Sequence, residues 1–212
     1  MPAELLQKTA PGLSGPRDPE GQDRPPGGDG PSPDQFLDSP ARFGLWAFMG
    51  TVTMLFVGFT SAYLVRRASA DWQPLAPPSL LWLNTAVLLS SSVLLERARG
   101  QLRRWAPGDA LRWLAAAGLL GLLFLAGQVA AWRQLAAQGI FLASNPHSSF
   151  FYLLSGVHAA HLVGGLGWFA SAAFRLRRLA LTPGEDGLGL LATYWHFLAA
   201  VWIYLLFLLF VV

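Results

Sequence analysis

The 212-residue chain contains no cysteine. Disulfide scaffolds, Cys-based zinc sites, iron–sulfur clusters and thiolate-ligated haem all need that residue, as does a dinuclear copper site bridged by thiolates, so all are excluded. Charge is scarce too. Only 13% of residues are Asp, Glu, Lys or Arg, about half the share of an ordinary soluble domain, while 53% are hydrophobic. Of the 12 acids, Glu4, Asp18, Glu20, Asp23, Asp29, Asp34 and Asp38 precede Arg42. Asp71, Glu96, Asp109, Glu185 and Asp186 lie between long apolar runs, leaving no acid for the runs themselves. That excludes a water-soluble enzyme with carboxylates in a cleft and indicates a membrane protein. Lysine is nearly missing: 14 of the 15 basic residues are Arg. They cluster beside the apolar runs, so the net charge of +3 reads as orientation on a membrane rather than as nucleic-acid binding.

What is present begins with a tail. Residues 1–41 are rich in Pro, Gly and Asp and have no period of 2 or 3.6. Such a segment buries too little apolar surface to offset ordering entropy, so a disordered tail is expected. It lacks the apolar core after a basic start that a signal peptide would show. Five apolar runs follow, about Phe43–Val65, Ser79–Leu95, Leu111–Trp132, Ser148–Phe174 and Leu188–Val212. About 20 helical residues cross a hydrocarbon core of about 30 Å. Four runs meet that length, and the second does so with Pro78 and Trp82 in the interface. The expected fold is an all-α bundle of five transmembrane helices over residues 42–212.

Arginine gives the expected orientation. Arg97, Arg99, Arg103, Arg104 and Arg112 lie between the second and third runs, and Arg175, Arg177 and Arg178 between the fourth and fifth. The other side has Arg66, Arg67 and Arg133. By the positive-inside rule the N-terminus is cytoplasmic and the C-terminus outside.

In lipid, helices associate by close packing and interhelical hydrogen bonds, so small and polar residues mark buried faces. Gly156, Ala160 and Gly164 recur every four residues and are expected to form a smooth helix–helix contact within the bundle. Ala117, Gly121, Gly127 and Gln128 in the third run, and Asn84, Thr85 and Ser90–Ser92 in the second, also suit a packed bundle. His158, His161 and His196 lie at membrane depth, where an ionisable group suggests function. His158 and His161 are three apart and share a helix face from which both can reach one metal or haem. The reading preferred is structural, with neutral imidazoles contacting neighbouring helices or lipid headgroups. His147, after Asn145-Pro146, is expected in a solvated loop. A free-standing proton-coupled carrier is disfavoured, since no run holds an acid or an internal proline and five runs do not make equal halves.

The order of local patterns is specific. The first run reads Arg42-Phe-Gly-Leu-Trp-Ala-Phe-Met49, then Phe56-Val-Gly-Phe-Thr-Ser-Ala-Tyr63; the second opens Leu83-Asn-Thr85. The third ends Gly127-Gln-Val-Ala-Ala-Trp132. The fourth carries Ser155-Gly-Val-His-Ala-Ala-His161, and the fifth Thr193-Tyr-Trp-His-Phe197 through Val201-Trp-Ile-Tyr204. Over residues 42–212 this succession resembles subunit III of the haem–copper oxidases, in the form that has five helices instead of seven.

The resemblance implies a non-catalytic subunit of a bacterial terminal oxidase that serves aerobic electron transport and proton translocation. It implies that this chain carries no redox cofactor or metal of its own, with haem and copper held by partner chains. It further implies packing mainly on subunit I, with subunit II in the same complex of the bacterial inner membrane, bound phospholipid, and support for proton uptake and complex stability. The family's histidines fall on His158, His161 and His196, its Asn-Thr pair on Asn84 and Thr85, and its Trp-His pair on Trp195 and His196. These are expected to contact lipid or neighbouring helices, and none is expected to be catalytic. Two family carboxylates are replaced, by Val52 and Ala199, so roles resting on them do not transfer. The departures leave open a subunit III-like protein of a nitric oxide reductase or quinol oxidase. A different class is a haem-handling membrane protein using His158, His161 and His196. Electron donor and acceptor would belong to the partner chains.

Overall fold

In a computed structural model of the chain, residues 40–72, 78–178 and 187–211 are described; the tail expected over residues 1–41 lies almost wholly outside them. They form five α-helices: α1 (Pro40–Arg67), α2 (Leu80–Arg103), α3 (Pro107–Ala137), α4 (Pro146–Arg177) and α5 (Gly187–Phe210). Four, α1, α3, α4 and α5, are long and apolar enough to cross a membrane.

The second helix differs for a physical reason. Its apolar part, residues 80–95, spans about 24 Å at about 1.5 Å per residue, short of a core of about 30 Å. The helix does not stop there but continues through Glu96, Arg97 and Arg99 to Arg103. The basic stretch expected as a link is therefore mostly helical, and only residues 104–106 join α2 to α3.

Helix ends are set by local chemistry. Asn145 accepts a hydrogen bond from the Ser148 amide at 2.9 Å, and the Ser148 hydroxyl accepts from the Asn145 amide at 3.2 Å. With Pro146 at the first helical position, where no amide hydrogen is needed, α4 starts abruptly. Gly139, at φ 78°, ends α3 by bonds from Gly139 to Ala136 and from Ile140 to Leu135. The same turn ends α2, but there Trp105 takes the left-handed conformation at φ 57°. A side chain in that region costs about 1–2 kcal/mol. The indole is 74% exposed beside the arginines, where a ring can sit in the membrane interface.

Helices α2, α3, α4 and α5 close into a ring, each against the next and α2 against α5, while α1 packs on α4 and α5. Ring neighbours run antiparallel. Trp132 reaches Ser155 where Phe124 meets His158, and Trp195 reaches Ser91 where Trp202 reaches Thr85. The C-terminal ends of α2 and α4 thus lie with the N-terminal ends of α3 and α5, which gathers the eight arginines of the two basic links at one end of the bundle. The interior is filled by Leu88, Leu114, Phe124, Leu154, Leu162, Trp195, Leu198 and Trp202.

Candidate functional site

The polar residues of the bundle form interhelix ties. Asn84 Nδ2 donates to the Phe124 carbonyl at 3.0 Å, and Ser91 Oγ donates to the Ala117 carbonyl at 2.8 Å. These fasten α2 to α3. Trp195 Nε1 donates to Ser91 Oγ at 3.1 Å and Trp202 Nε1 to Thr85 Oγ1 at 3.0 Å, tying α5 to α2. Trp132 Nε1 donates to Ser155 Oγ at 3.0 Å, and Tyr194 OH donates to the His161 carbonyl at 3.1 Å. Each satisfies a group that would be costly unpaired away from water.

Trp195 is the centre of this lattice. A Cβ added at Gly121 would lie 2.9 Å from its ring, and one at Gly165 would lie 3.0 Å away. Phe169 meets it edge-on at 4.7 Å. Two glycines from different helices therefore open the slot for one indole.

The stripe expected to pack within the bundle does not do so. A Cβ at Gly156 or at Gly164 would meet nothing within 4 Å, and Ala160 is exposed. The physical reason is angular. Gly165, one residue on, turns about 100° round the helix and meets Trp195 in place of Gly164.

The three membrane-depth histidines do not converge. His158 is fully buried, stacked on Trp202 at 5.3 Å and facing the edge of Phe124. His161 turns towards α1, its Nδ1 donating to the Val157 carbonyl at 2.8 Å and its ring lying 6.2 Å from Phe48 and 6.1 Å from Phe56. Val52, one turn from each of those phenylalanines, is buried, so an aliphatic side chain occupies this face of α1. His196 lies elsewhere, with Nδ1 3.7 Å from Glu96 Oε1. Both Glu96 oxygens accept from Arg99 Nη1, at 2.7 and 2.8 Å. Among the described residues, no three His, Asp or Glu side chains group to hold a metal. A single haem or metal site built from His158, His161 and His196 is not what this geometry forms.

His147 corrects the sequence reading. It lies in the first turn of α4, 3% exposed, stacked on Trp72 at 4.9 Å and with Nε2 3.0 Å from the Leu209 carbonyl. Tyr63 adds an edge contact to Trp72. The ring thus joins α4, the end of α5 and the segment after α1. The missed signal was Asn145-Pro146-x-Ser148, a helix start rather than a loop.

Concave surfaces flank the bundle. One of about 970 Å³ lies between the end of α1 and the start of α4, lined by Ser61, Ala62, Arg66, Asp71, Asn145 and Ser149. Arg66 Nη2 donates to Asp71 Oδ2 at 2.7 Å. The Ser69 hydroxyl, then the Asp71 amide and Arg66, hold the Asp71 carboxyl below its ordinary range. Another is an apolar groove of about 610 Å³ between α3 and α4, bounded by Leu114, Gly118, Leu122, Val163, Gly167 and Ala173.

Comparison with known proteins gives this architecture a lineage. The sequence model described as cytochrome c oxidase subunit III matches residues 34–212. A cytochrome c oxidase subunit 3 of Synechocystis sp. is 30% identical over 175 residues, 79% of this chain and 74% of that protein. A probable cytochrome c oxidase subunit 3 of Mycobacterium bovis is 32% identical over 168 residues, 76% of this chain and 82% of that one. A cytochrome c oxidase subunit 3 of Bacillus subtilis is 28% identical over 176 residues, 80% and 85% of the two chains. Helices capable of spanning a membrane, in the order the motifs required, agree with that match. The chain is a multi-pass protein of the bacterial inner membrane, and it belongs to the cytochrome c oxidase subunit III family.

Proposed function

We propose that this chain is a non-catalytic subunit of a bacterial haem–copper terminal oxidase, a helical brace packed on the catalytic subunit I, with subunit II in the same complex. All five helices cross the membrane, N-terminus inside and C-terminus outside. Haem and copper reside in the partner chains. The chain's own contribution is packing surface, bound phospholipid and support for proton uptake.

One observation carries this reading. Glu96, Arg99 and His196 form a partly exposed ionisable cluster between α2 and α5, at a level that the length of α2 places at the edge of the hydrocarbon core. Ionisable groups at that depth face protein or water rather than lipid tails. A covering chain satisfies that requirement. The same side exposes Leu89, Ile203 and Phe207. Helix α1 is also largely bare, exposing Phe43, Trp46, Met54, Val57 and Val65. The apolar groove between α3 and α4 suits a lipid acyl chain, and Arg112 and Arg177 follow its two walls towards the basic end by helical register.

A photoreactive residue placed at Ile203 or Leu89 in native membranes is expected to cross-link to another polypeptide, and one at Leu119 in the α3–α4 groove to lipid. Lipid adducts alone at all three positions would overturn the docking face.

A further inference from the structure

Nearly every buried polar side chain of the bundle is paired, and the exceptions lie together. Gln128 is 1% exposed and His158 is 0% exposed, yet Gln128 Nε2 and Oε1 and both ring nitrogens of His158 have no hydrogen-bond partner. They are the only such atoms among the described residues. Register puts the two side chains at one level. Phe124 of α3 meets His158 of α4, and Trp132 of α3 bonds Ser155 of α4. Gln128 is one turn from each of those α3 residues, so it faces the His158–Ser155 turn. Ser155 is already engaged, accepting from Trp132 and donating to Phe151.

We infer that Gln128 and His158 hold an internal water site where α3, α4 and α5 meet. Buried amide and imidazole groups left bare are strongly disfavoured, and native interiors resolve them with protein partners or ordered water. A direct bond between the two side chains would use one donor and one acceptor, leaving the other two atoms bare. Water has two donors and two acceptors, so one or two molecules can serve an amide atom and a ring nitrogen together. Trp202 and Phe124 flank His158 with aromatic rings that offer the imidazole no acceptor oxygen. With both side chains shut off from the surface, an occupant bonded to them is small and uncharged. The site fixes how α4 is rotated against α3, because His158 can share the water only from its present face.

The test is a density map of the chain in its native complex, at a resolution that shows ordered water. A peak within about 2.7–3.2 Å of a His158 ring nitrogen and of a Gln128 amide atom is the expected result. A direct Gln128–His158 bond without a peak, or two dry side chains, would overturn the inference. A second readout needs no map. The infrared water O–H band that shifts in ¹⁸O-labelled water should be lost in Gln128→Leu and in His158→Phe, with each variant still inserted in the membrane. Identical water bands in the wild type and both variants would also overturn it.

Discussion

Trp195→Ala is expected to destabilise the bundle by about 3 kcal/mol, read as an earlier unfolding midpoint in a denaturing-detergent titration. That is the low end of the range for removing a buried Trp, because lipid tails solvate apolar surface about as well as the protein interior does. The loss is therefore mainly of packing and of one hydrogen bond. The indole fills a slot cut by Gly121 and Gly165, touches Phe169, and donates to Ser91. Ser91 in turn holds the Ala117 carbonyl, so the substitution loosens α5 from α2 directly and weakens the side chain that ties α2 to α3. Trp195→Phe should recover part of the loss, since it refills the slot but leaves Ser91 without its donor. Equal midpoints for Trp195→Ala and wild type would show that the lattice is not centred on this residue.

Gly127→Ala is expected to cost about 2–4 kcal/mol, from overpacking and from stripping a buried amide of its partner. The added methyl would overlap the Asn84 carboxamide, which is buried and donates to the Phe124 carbonyl. Neither helix can yield easily, because Asn84 and Ser91 both hold α2 to the α3 backbone by hydrogen bonds. Adding Asn84→Ala to Gly127→Ala should return part of the stability, the non-additivity expected of two residues in contact. Gly164→Ala is the control. It meets nothing within 4 Å and should change the stability of the isolated chain by less than about 0.5 kcal/mol. Equal losses at Gly127 and Gly164 would remove the distinction between the faces they occupy.

Those two glycines mark where sequence reading reached its limit. The apolar runs located each of the five helices among the described residues, and run length and scarcity of charge, which a bilayer imposes directly, mark four of them as able to span it. Helix ends needed finer signals: α2 runs eight residues beyond Leu95, because backbone hydrogen bonding continues after the side chains become charged. Asn84, Thr85 and Trp195 stood out in the resemblance, and each lies at an interhelix hydrogen bond. The small-residue stripe misled for a geometric reason. Helix α4 has small residues on several faces, and a four-residue period fits Gly156, Ala160 and Gly164 without saying which face a neighbour covers. The Glu96–His196 approach joins residues 100 positions apart and left no local pattern. The four bare atoms of Gln128 and His158 likewise emerge only when α3 and α4 are set in register.

An attached, non-redox subunit of a terminal oxidase, as proposed for this chain, is defined by the company it keeps. The most direct measurement is mass spectrometry, with a visible absorption spectrum, of what co-purifies with the tagged full-length chain in a mild detergent. The expected result is a large polytopic partner carrying haem, whose spectrum leaves with it when the complex is split and is missing from the isolated chain. Recovery of the chain alone, under conditions where other membrane complexes stay intact, would contradict the claim, as would a haem band that remains on the isolated chain.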